Sequence, residues 1–277
     1  MKNKVYVFVS LYKASDFERR FVSQSDYVYL IDNGYSTIDI EHLPNNCIYV
    51  RNESNKGLSL AFNSVIKEMG SIGDNDFLFF FDQDSRINDS FIHDMTMEFE
   101  KLENKLNIGL LGATFTDENI GIKPKRRIEK IVDDDCSIVP TLITSSMLTR
   151  FKYLRQVGFW SESIFLDFAD FDLSFKFRAQ GLCCVNTKKI IFSHTLGEKN
   201  GNKEHYLNPF RYYYIIRDSV KLCSFKYINL FDRLHFVSNL LWYPLKILFF
   251  EDKKTERLFY YKKGLMDGIK KINGEIK

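Results

Sequence analysis

Asp76-Phe77-Leu78-Phe79-Phe80-Phe81-Asp82-Gln83-Asp84-Ser85 sets an apolar run between acidic residues near the middle of the first half of the chain. Five consecutive apolar residues bounded by carboxylates are too short for an ordinary helix and read as a strand buried on both faces. Strands of this kind belong to parallel sheets covered by helices, and ligands gather at their carboxyl ends. Two carboxylates stand at this one's exit. Alternate residues of a strict strand face opposite ways, so a turn has to begin at Asp82 if Asp82 and Asp84 are to share a site. A hard divalent cation would suit such a pair, and an Asx turn with Asp84 capping the next helix would account for it equally well.

On either side, β-branched or aromatic runs recur at Lys4–Ser10, Tyr27–Asp32, Cys47–Arg51 and Ile108–Thr114. Helical patterns near Ser15–Ser23, Gly57–Met69 and Asp89–Leu102 separate them. This alternation predicts repeated βα units and a mostly parallel sheet. Each strand end is polar: Asp32-Asn33-Gly34 after the second, and Arg51-Asn52-Glu53-Ser54-Asn55-Lys56-Gly57 after the third.

A charged stretch from Asp117 to Cys136, with Lys123, Lys125, Arg126, Arg127 and Lys130, is expected to be a surface excursion or a ribbon outside the core. A helix is expected at Ser146–Gln156. A second one follows Asp167-Phe168-Ala169-Asp170-Phe171-Asp172 and ends at Gln180-Gly181, where glycine suits a C-cap. Two short strands, Cys183–Asn186 and Lys189–Phe192, then lead to His194, and a loop at Glu198–Lys203 precedes a helical remainder.

The chain has 277 residues, 45% hydrophobic and 27% charged, which excludes a disordered tail or a disulfide-stapled miniprotein. Its net charge is +3, and Lys246–Lys277 holds nine Lys/Arg against five Asp/Glu, leaving residues 1–245 at −1. A basic excess this local argues against nucleic-acid binding. Five cysteines without a CxxC pair, and no apolar leader before Val5, lead us to expect a cytoplasmic protein. The longest apolar stretch, Phe236–Phe250, is broken by Ser238, Asn239, Pro244 and Lys246 and falls short of the roughly 20 residues a membrane span needs.

The second acidic group, Asp167, Asp170 and Asp172, is what a helix N-terminus favours on its own. Its neighbours Phe165, Phe168 and Phe171 add desolvation, which raises a carboxylate's pKa and makes it a better proton acceptor. His194 reads either as a hydrogen-bonded structural residue or as an imidazole for a metal or phosphate.

In order, Asp32-Asn33-Gly34, Asn55-Lys56-Gly57, Asp82-Gln83-Asp84-Ser85, Phe165 to Leu173 with its three aspartates, and His194 resemble the inverting family 2 glycosyltransferases of GT-A fold. The likeness runs from about Val5 to Ser219, close to four fifths of the chain. Ile143-Thr144-Ser145-Ser146 and His205-Tyr-Leu-Asn-Pro-Phe-Arg-Tyr-Tyr-Tyr214 with Arg217 look like the rhamnosyltransferase branch, which usually uses dTDP-L-rhamnose.

The resemblance implies a Rossmann-like nucleotide-diphospho-sugar transferase fold, α/β with a mixed, mostly parallel sheet. It implies a GT-A catalytic domain over 1–216, with a nucleotide-sugar half at 1–115 and an acceptor half at 138–205, and a helical extension over 217–277. Asp32 would bind the pyrimidine N3–H. Asn55-Lys56-Gly57 would pack on base and ribose, with Lys56 standing where relatives more often carry a leucine-like residue and so able to reach the diphosphate. Asp84 and His194 would hold Mg2+ or Mn2+, with Asp82 near the ribose or behind the metal, and Arg217 with Tyr212–Tyr214 would close over the site. Asp170 would be the base that deprotonates the acceptor hydroxyl, and Asp167, Asp172 and Trp160 would bind the acceptor. Ala169 replaces an acidic residue common in relatives. The Gln-x-x-Arg-Trp motif of processive synthases is absent, so a single sugar addition is expected.

The expected donor is dTDP-rhamnose or a UDP-sugar, and the expected acceptor a cell-surface or lipid-linked glycan. Trp242 to Phe250 followed by Lys253, Lys254, Arg257, Lys262 and Lys263 interleaves aromatic and basic groups, which fits docking on an anionic bilayer, core packing or a homodimer interface. Two other readings compete. Apolar strand plus Asp-x-Asp also opens haloacid-dehalogenase-like phosphatases, although three βα units precede Asp82 here; the other is a non-catalytic nucleotide-sugar-binding module.

Overall fold

The computed structural model describes residues 3–70, 72–117, 127–194, 198–200 and 203–276, with Glu198–Asn200 and Lys203–Tyr206 described by backbone alone. Strand β1 (Val5–Leu11), the short helix α1 (Arg20–Gln24), β2 (Tyr27–Asp32), β3 (Cys47–Arg51), α2 (Leu58–Glu68), β4 (Phe77–Asp82), α3 (Phe91–Glu103) and β5 (Ile108–Asp117) build the first half. Next come β6 (Lys130–Ile131), β7 (Cys136–Ile138), β8 (Met147–Arg150), α4 (Phe151–Gln156), α5 (Ala169–Ala179) and β9 (Cys183–His194). A ribbon of β10 (Glu198–Asn200) and β11 (Lys203–Tyr206) leads to α6 (Arg211–Ser224), α7 (Leu230–Phe250) and α8 (Lys254–Ile269).

Among the described residues the main sheet has nine strands in the order β3-β2-β1-β4-β8-β5-β9-β7-β6. Strands β1 to β4 are parallel, β8 runs antiparallel between β4 and β5, and β9 is again parallel to β5. The mixed, mostly parallel α/β sheet is therefore as the sequence implied.

The run Phe77–Phe81 lies at its centre, and period-2 alternation splits it between two cores. Phe80 meets Phe8, Phe62 and Trp160 at ring separations of 5.5, 5.0 and 5.2 Å on the side of α2 and α5. Phe81 meets Phe21 at 4.4 Å and Phe77 meets Phe99 at 5.7 Å on the side of α3. Burying each of these rings contributes about 1.5–3 kcal/mol, which anchors the strand whose end carries the carboxylates.

Four expectations need correction. No helix begins at Ser146: Met147–Arg150 is a wholly buried strand wedged between β4 and β5, and helix starts only at Phe151. The two strands expected before His194 are one strand, β9, whose register against β5 shifts between Ala113 and Thr114. The shift leaves Lys188–Ile190 without partners on β5, beside the Thr187-Lys188 gap expected between the two strands. The first helix is confined to Arg20–Gln24, because the preceding backbone is tied elsewhere: Lys13 N–H donates to Gly34 O at 3.0 Å and Ala14 N–H to Ser36 Oγ at 3.2 Å. Arg127 to Ile138 contributes the edge strands β6 and β7, and Cys136 is fully buried, so this part is joined to the core. Lys123, Lys125 and Arg126 lie outside the described residues, as do Thr195–Gly197 and Gly201-Asn202.

Helix α6 passes unbroken through position 217 and is buried along most of its length. Among the described residues no helix is long and apolar enough to cross a membrane.

Candidate active site

Strand β4 ends in a tight turn in which Ser85 N–H donates to Asp82 O at 3.1 Å. Arg86 and Ser193 then exchange two backbone hydrogen bonds of 2.9 Å, fastening the exit of β4 to the end of β9. This places His194 Nδ1 3.1 Å from Asp84 Oδ1 and His194 Nε2 4.0 Å from Asp82 Oδ2. Ligand atoms of all three residues lie within 4.8 Å of one another. Two carboxylates and an imidazole are a donor set that fits Mg2+ or Mn2+. Gln83, between the aspartates, accepts the Tyr12 N–H at 2.7 Å and holds the end of β1 beside the site.

Asp82 is supported from behind by Ser145, whose hydroxyl donates to Oδ2 at 2.5 Å. Burial pushes the Asp82 carboxyl upward in pKa; His194 and the Ser145 hydroxyl oppose this, and the negative charge of Asp84 adds to it.

Asp170 stands in the first turn of α5, two residues after Phe168, which adopts a left-handed conformation at φ 65°. Its Oδ1 accepts the Phe171 N–H at 2.8 Å and its Oδ2 the Thr144 N–H at 3.3 Å. Burial in the cleft raises its pKa to about 7, with the charges of Asp82 and Asp167 adding to the rise and the two N–H groups opposing it. It is therefore a carboxylate poised to take a proton near neutral pH. Asp167 is paired with Arg211 at 2.7 Å; burial raises its pKa and the guanidinium opposes that. The positive charge of Arg211 is felt at Asp82 as well.

Beyond β2 and β3 lies a cavity of about 430 Å³ lined by Asn33, Gly34, Tyr35, Arg51 to Asn55, and Glu275. Asp32 lies beneath its floor with no exposed surface, a correction to its expected place against a bound base. Its Oδ1 accepts Gly34 N–H at 2.8 Å and Ser36 Oγ–H at 2.7 Å, while Oδ2 accepts Tyr49 Oη–H at 2.7 Å. Burial alone would raise the Asp32 pKa, but these hydrogen bonds outweigh it and hold the carboxyl below the usual range. Asp32 thus shapes the Asn33–Ser36 turn.

Asn55 lines the cavity and accepts the Gly57 N–H at 2.9 Å, while Lys56 is half-buried and outside the lining. Gly57 has φ +75°, and a Cβ there would sit 2.3 Å from Phe165 O. That close approach lets Leu58 N–H donate to Phe165 O at 2.6 Å, joining the Asn55 turn to the loop that carries Asp167 and Asp170.

Three further expectations are overturned. Trp160 is 2% exposed and packs on Phe62 and Phe80, so it belongs to the core and not to an acceptor surface. Asp172 is fully buried and accepts the Tyr227 hydroxyl, one helical step away from the cleft. Arg217 is fully buried, bonded to Asp218 Oδ1 at 2.9 Å and Gly274 O at 2.6 Å, and does not reach the carboxylate cluster. Arg211, six positions earlier in the same motif, is the arginine at the cleft. Sequence reasoning also missed Ser145, although it had marked the segment, and Glu275, for which the sequence held no signal.

The glycosyl transferase family 2 model matches residues 23–158, a span that includes Asp32, Asp82, Asp84 and Ser145. The chain is 25% identical over 271 residues to the dTDP-rhamnosyl transferase RfbF of Shigella flexneri, covering 91% of this chain and 88% of that one. Its fold is shared with the S. aureus TarS fragment 1–349 crystallised with UDP-GlcNAc (TM-score 0.62, 16% identity, 97% of this chain and 81% of that one). GalNAc-T7, crystallised with UDP, GalNAc and Mn2+, has the same core (TM-score 0.54, 12% identity, 89% of this chain and 57% of that one). The strand order, the carboxylate–histidine cluster at the end of β4 and these likenesses favour sugar transfer over the phosphatase and the non-catalytic module: the chain is a glycosyltransferase of GT-A fold, just under half of which matches the glycosyl transferase family 2 model.

Proposed function

We propose that the protein transfers L-rhamnose from dTDP-L-rhamnose to a hydroxyl of a cell-surface or lipid-linked glycan, with inversion at the sugar C1 and with a divalent cation. The observation that carries the reaction is the position of Asp170, raised to about 7 by burial, beside the Asp82–Asp84–His194 cluster. The choice of donor is supported by the relative that spans nearly the whole chain.

In this reading the nucleoside occupies the cavity at the ends of β2 and β3. The diphosphate lies toward Arg211, a positive charge in a cleft lined by carboxylates. Asp82, Asp84 and His194 would hold Mg2+ or Mn2+, which when bound supplies charge to stabilise the departing diphosphate. Asp170 accepts the acceptor's hydroxyl proton while the oxygen attacks C1 from the face opposite the nucleotide. One C–O bond forms, the C1–O bond to the diphosphate breaks, and dTDP leaves. A single displacement of this kind inverts the centre and needs no covalent enzyme intermediate, so positioning and electrostatics supply the rate.

A thermal-shift and calorimetric panel of dTDP-rhamnose, UDP-glucose, UDP-galactose, UDP-galactofuranose and GDP-mannose, each with Mg2+, Mn2+ or EDTA, tests this reading. Selective, metal-dependent stabilisation by dTDP-rhamnose is expected. Selective binding of a UDP-sugar would overturn rhamnose and keep the mechanism.

A lipid-linked acceptor also accords with α7. Its buried residues Phe236 and Ile247 face the protein, whereas Leu230, Leu234, Val237, Leu241, Leu245 and Leu248 form an exposed stripe on the opposite side. Exposed Lys253 and Lys254 follow at once. Apolar burial plus about 1 kcal/mol per cation near anionic lipid would dock this face on the cytoplasmic leaflet. Flotation with phosphatidylglycerol vesicles should be lost in Leu241→Glu/Leu245→Glu. Unchanged flotation would overturn docking, and a concentration-dependent dimer abolished by the same pair would assign the stripe to a second copy.

A further inference from the structure

The segment Asn273–Ile276 lies across the end of α6, held by groups that water does not reach. Fully buried Arg217 donates from Nη1 to Gly274 O at 2.6 Å, and Lys221, 4% exposed, donates from Nζ to Asn273 Oδ1 at 2.8 Å. Ile276 N–H donates to Tyr214 Oη at 3.1 Å, and the Ile276 side chain packs on the cluster of Phe165, Tyr213 and Tyr214. Between these anchors Glu275 is exposed, and it forms one wall of the 430 Å³ cavity at the ends of β2 and β3. A hydrogen bond to a charged group is among the stronger ones a protein makes, and two buried cations spent on a short irregular segment fix it to the helix beneath.

The opposite wall is fixed to the same point. Arg217 Nε donates to Asp218 Oδ1 at 2.9 Å, and Asp218 Oδ2 accepts the N–H groups of Phe165 at 3.1 Å and Leu166 at 3.5 Å. Phe165 O in turn accepts Leu58 N–H, which sets the Asn55–Gly57 turn. One buried arginine–aspartate pair therefore positions Glu275, the Asn55 turn and the loop leading to Asp170.

The chemistry of the cavity selects what Glu275 can face. Glu53 and Glu275 set two carboxylates against one cation, Arg51, among the residues lining the cavity, and carboxylates facing a polar cavity accept from hydroxyl or N–H donors. We propose that Glu275 is a nucleoside-binding residue that accepts a hydrogen bond from a sugar hydroxyl of the bound nucleoside, and that Arg217 and Lys221 are positioning residues that hold it there. This assignment rests on the nucleoside occupying that cavity, as the proposed function has it.

Calorimetric titration of the full chain with UDP, dTDP and inorganic pyrophosphate, all with Mn2+, tests the assignment. Glu275→Ala should weaken both nucleotides by about tenfold or more and leave pyrophosphate unchanged, because one charge-assisted hydrogen bond is lost. Asn273→Ala, which releases the segment from Lys221, should act in the same direction with a smaller loss. The melting temperature of Glu275→Ala should stay at the wild-type value, since its side chain is exposed. Unchanged nucleotide affinity in Glu275→Ala, or an equal loss for pyrophosphate, would overturn the inference and leave the donor site standing. A wild-type chain that binds pyrophosphate but neither nucleotide would overturn the placement of the nucleoside, and the inference with it.

Discussion

The hydroxyl of Ser145 donates to Asp82 Oδ2 at 2.5 Å, while the Asp82 backbone N–H donates back to Ser145 Oγ at 3.3 Å. The next residue toward the N-terminus, Thr144, offers its N–H to Asp170 Oδ2 at 3.3 Å. The turn before β8 thus touches both carboxylates that the chemistry needs, one through a side chain and one through the backbone. Groups that orient metal-binding carboxylates from behind typically contribute about 10- to 100-fold in metal affinity. Ser145→Ala should accordingly raise the Mn2+ concentration needed for half-maximal transfer by roughly tenfold. An unchanged metal titration would show that Asp82 is oriented without the serine.

Asp170→Asn keeps the shape but cannot accept a proton, and its single oxygen can keep only one of the two backbone hydrogen bonds, to Phe171 N–H or to Thr144 N–H. General base catalysis is worth about 100- to 10,000-fold, so kcat should fall by that range while the Kd for the nucleotide-sugar stays within about twofold. Loss of donor affinity with normal transfer at saturation would contradict the assignment.

The pKa of about 7 at Asp170 gives this base a pH signature. The groups facing it are Asp82 and Asp167, with Arg211 paired to Asp167. Only the ionised form accepts the proton, so kcat/KM should rise about tenfold per pH unit below about 7 and level off above it. Stability runs the other way. The folded pKa lies above the unfolded value of about 3.9, so the folded chain holds this proton longer, and the group's contribution to stability falls as pH rises from about 4 to about 7. The melting temperature of Asp170→Asn relative to wild type should therefore be higher at pH 8 than at pH 4. The measurement is a pair of thermal melts in which equal shifts at both pH values would exclude the linkage.

The two arginines of the α6 motif should behave oppositely. Arg211 is partly exposed and sits at the cleft, so Arg211→Met should raise the donor KM by about 10- to 100-fold, the size of a lost charged hydrogen bond, and should cost less in unfolding than the loss of fully buried Arg217. Arg217 is buried against Asp218, and removing one partner of a buried pair costs about 3–5 kcal/mol, so Arg217→Met should lower stability in urea by that amount. Interchanged phenotypes would place Arg217, after all, at the diphosphate.

Residues whose roles follow from local pattern were legible in the sequence. Phe77 to Asp82 announced a buried strand and a site at its end, because periodicity and strand-end chemistry are local properties. The aspartate–histidine cluster was legible through its order along the chain. Burial direction was not. Trp160, Asp172 and Arg217 have the chemistry of site residues, and only tertiary packing turns them inward against Phe80, Tyr227 and Asp218. Met147–Arg150 misread as helix for the same reason, since its strand conformation is imposed by β4 and β5 on either side. Glu275 reaches the cavity because Arg217, Lys221 and Tyr214, more than 50 residues earlier, bind its neighbours.

Gly57 lies at the contact that joins the two halves of the site, and Gly158 is a second glycine of positive φ away from any such contact. Both have positive φ, at +75° and +77°, but Gly57 combines it with ψ 173°, a region essentially confined to glycine, so alanine there carries a backbone penalty of its own in addition to any contact. A Cβ added at Gly158 would meet nothing within 4 Å, whereas at Gly57 that atom would meet Phe165 O at 2.3 Å. The obstruction is backbone, and it is the same carbonyl that accepts Leu58 N–H, so relief requires moving the loop that carries Asp167 and Asp170. Gly158→Ala should lose about 1 kcal/mol in urea unfolding with transfer intact. Gly57→Ala should lose about 2–4 kcal/mol and also lower kcat, because a displacement near 1 Å at a catalytic base can cost about 100-fold. Equal stability and equal kcat in the two variants would mean that the Phe165 loop gives way freely and that its contact with the Asn55 turn does not position the base.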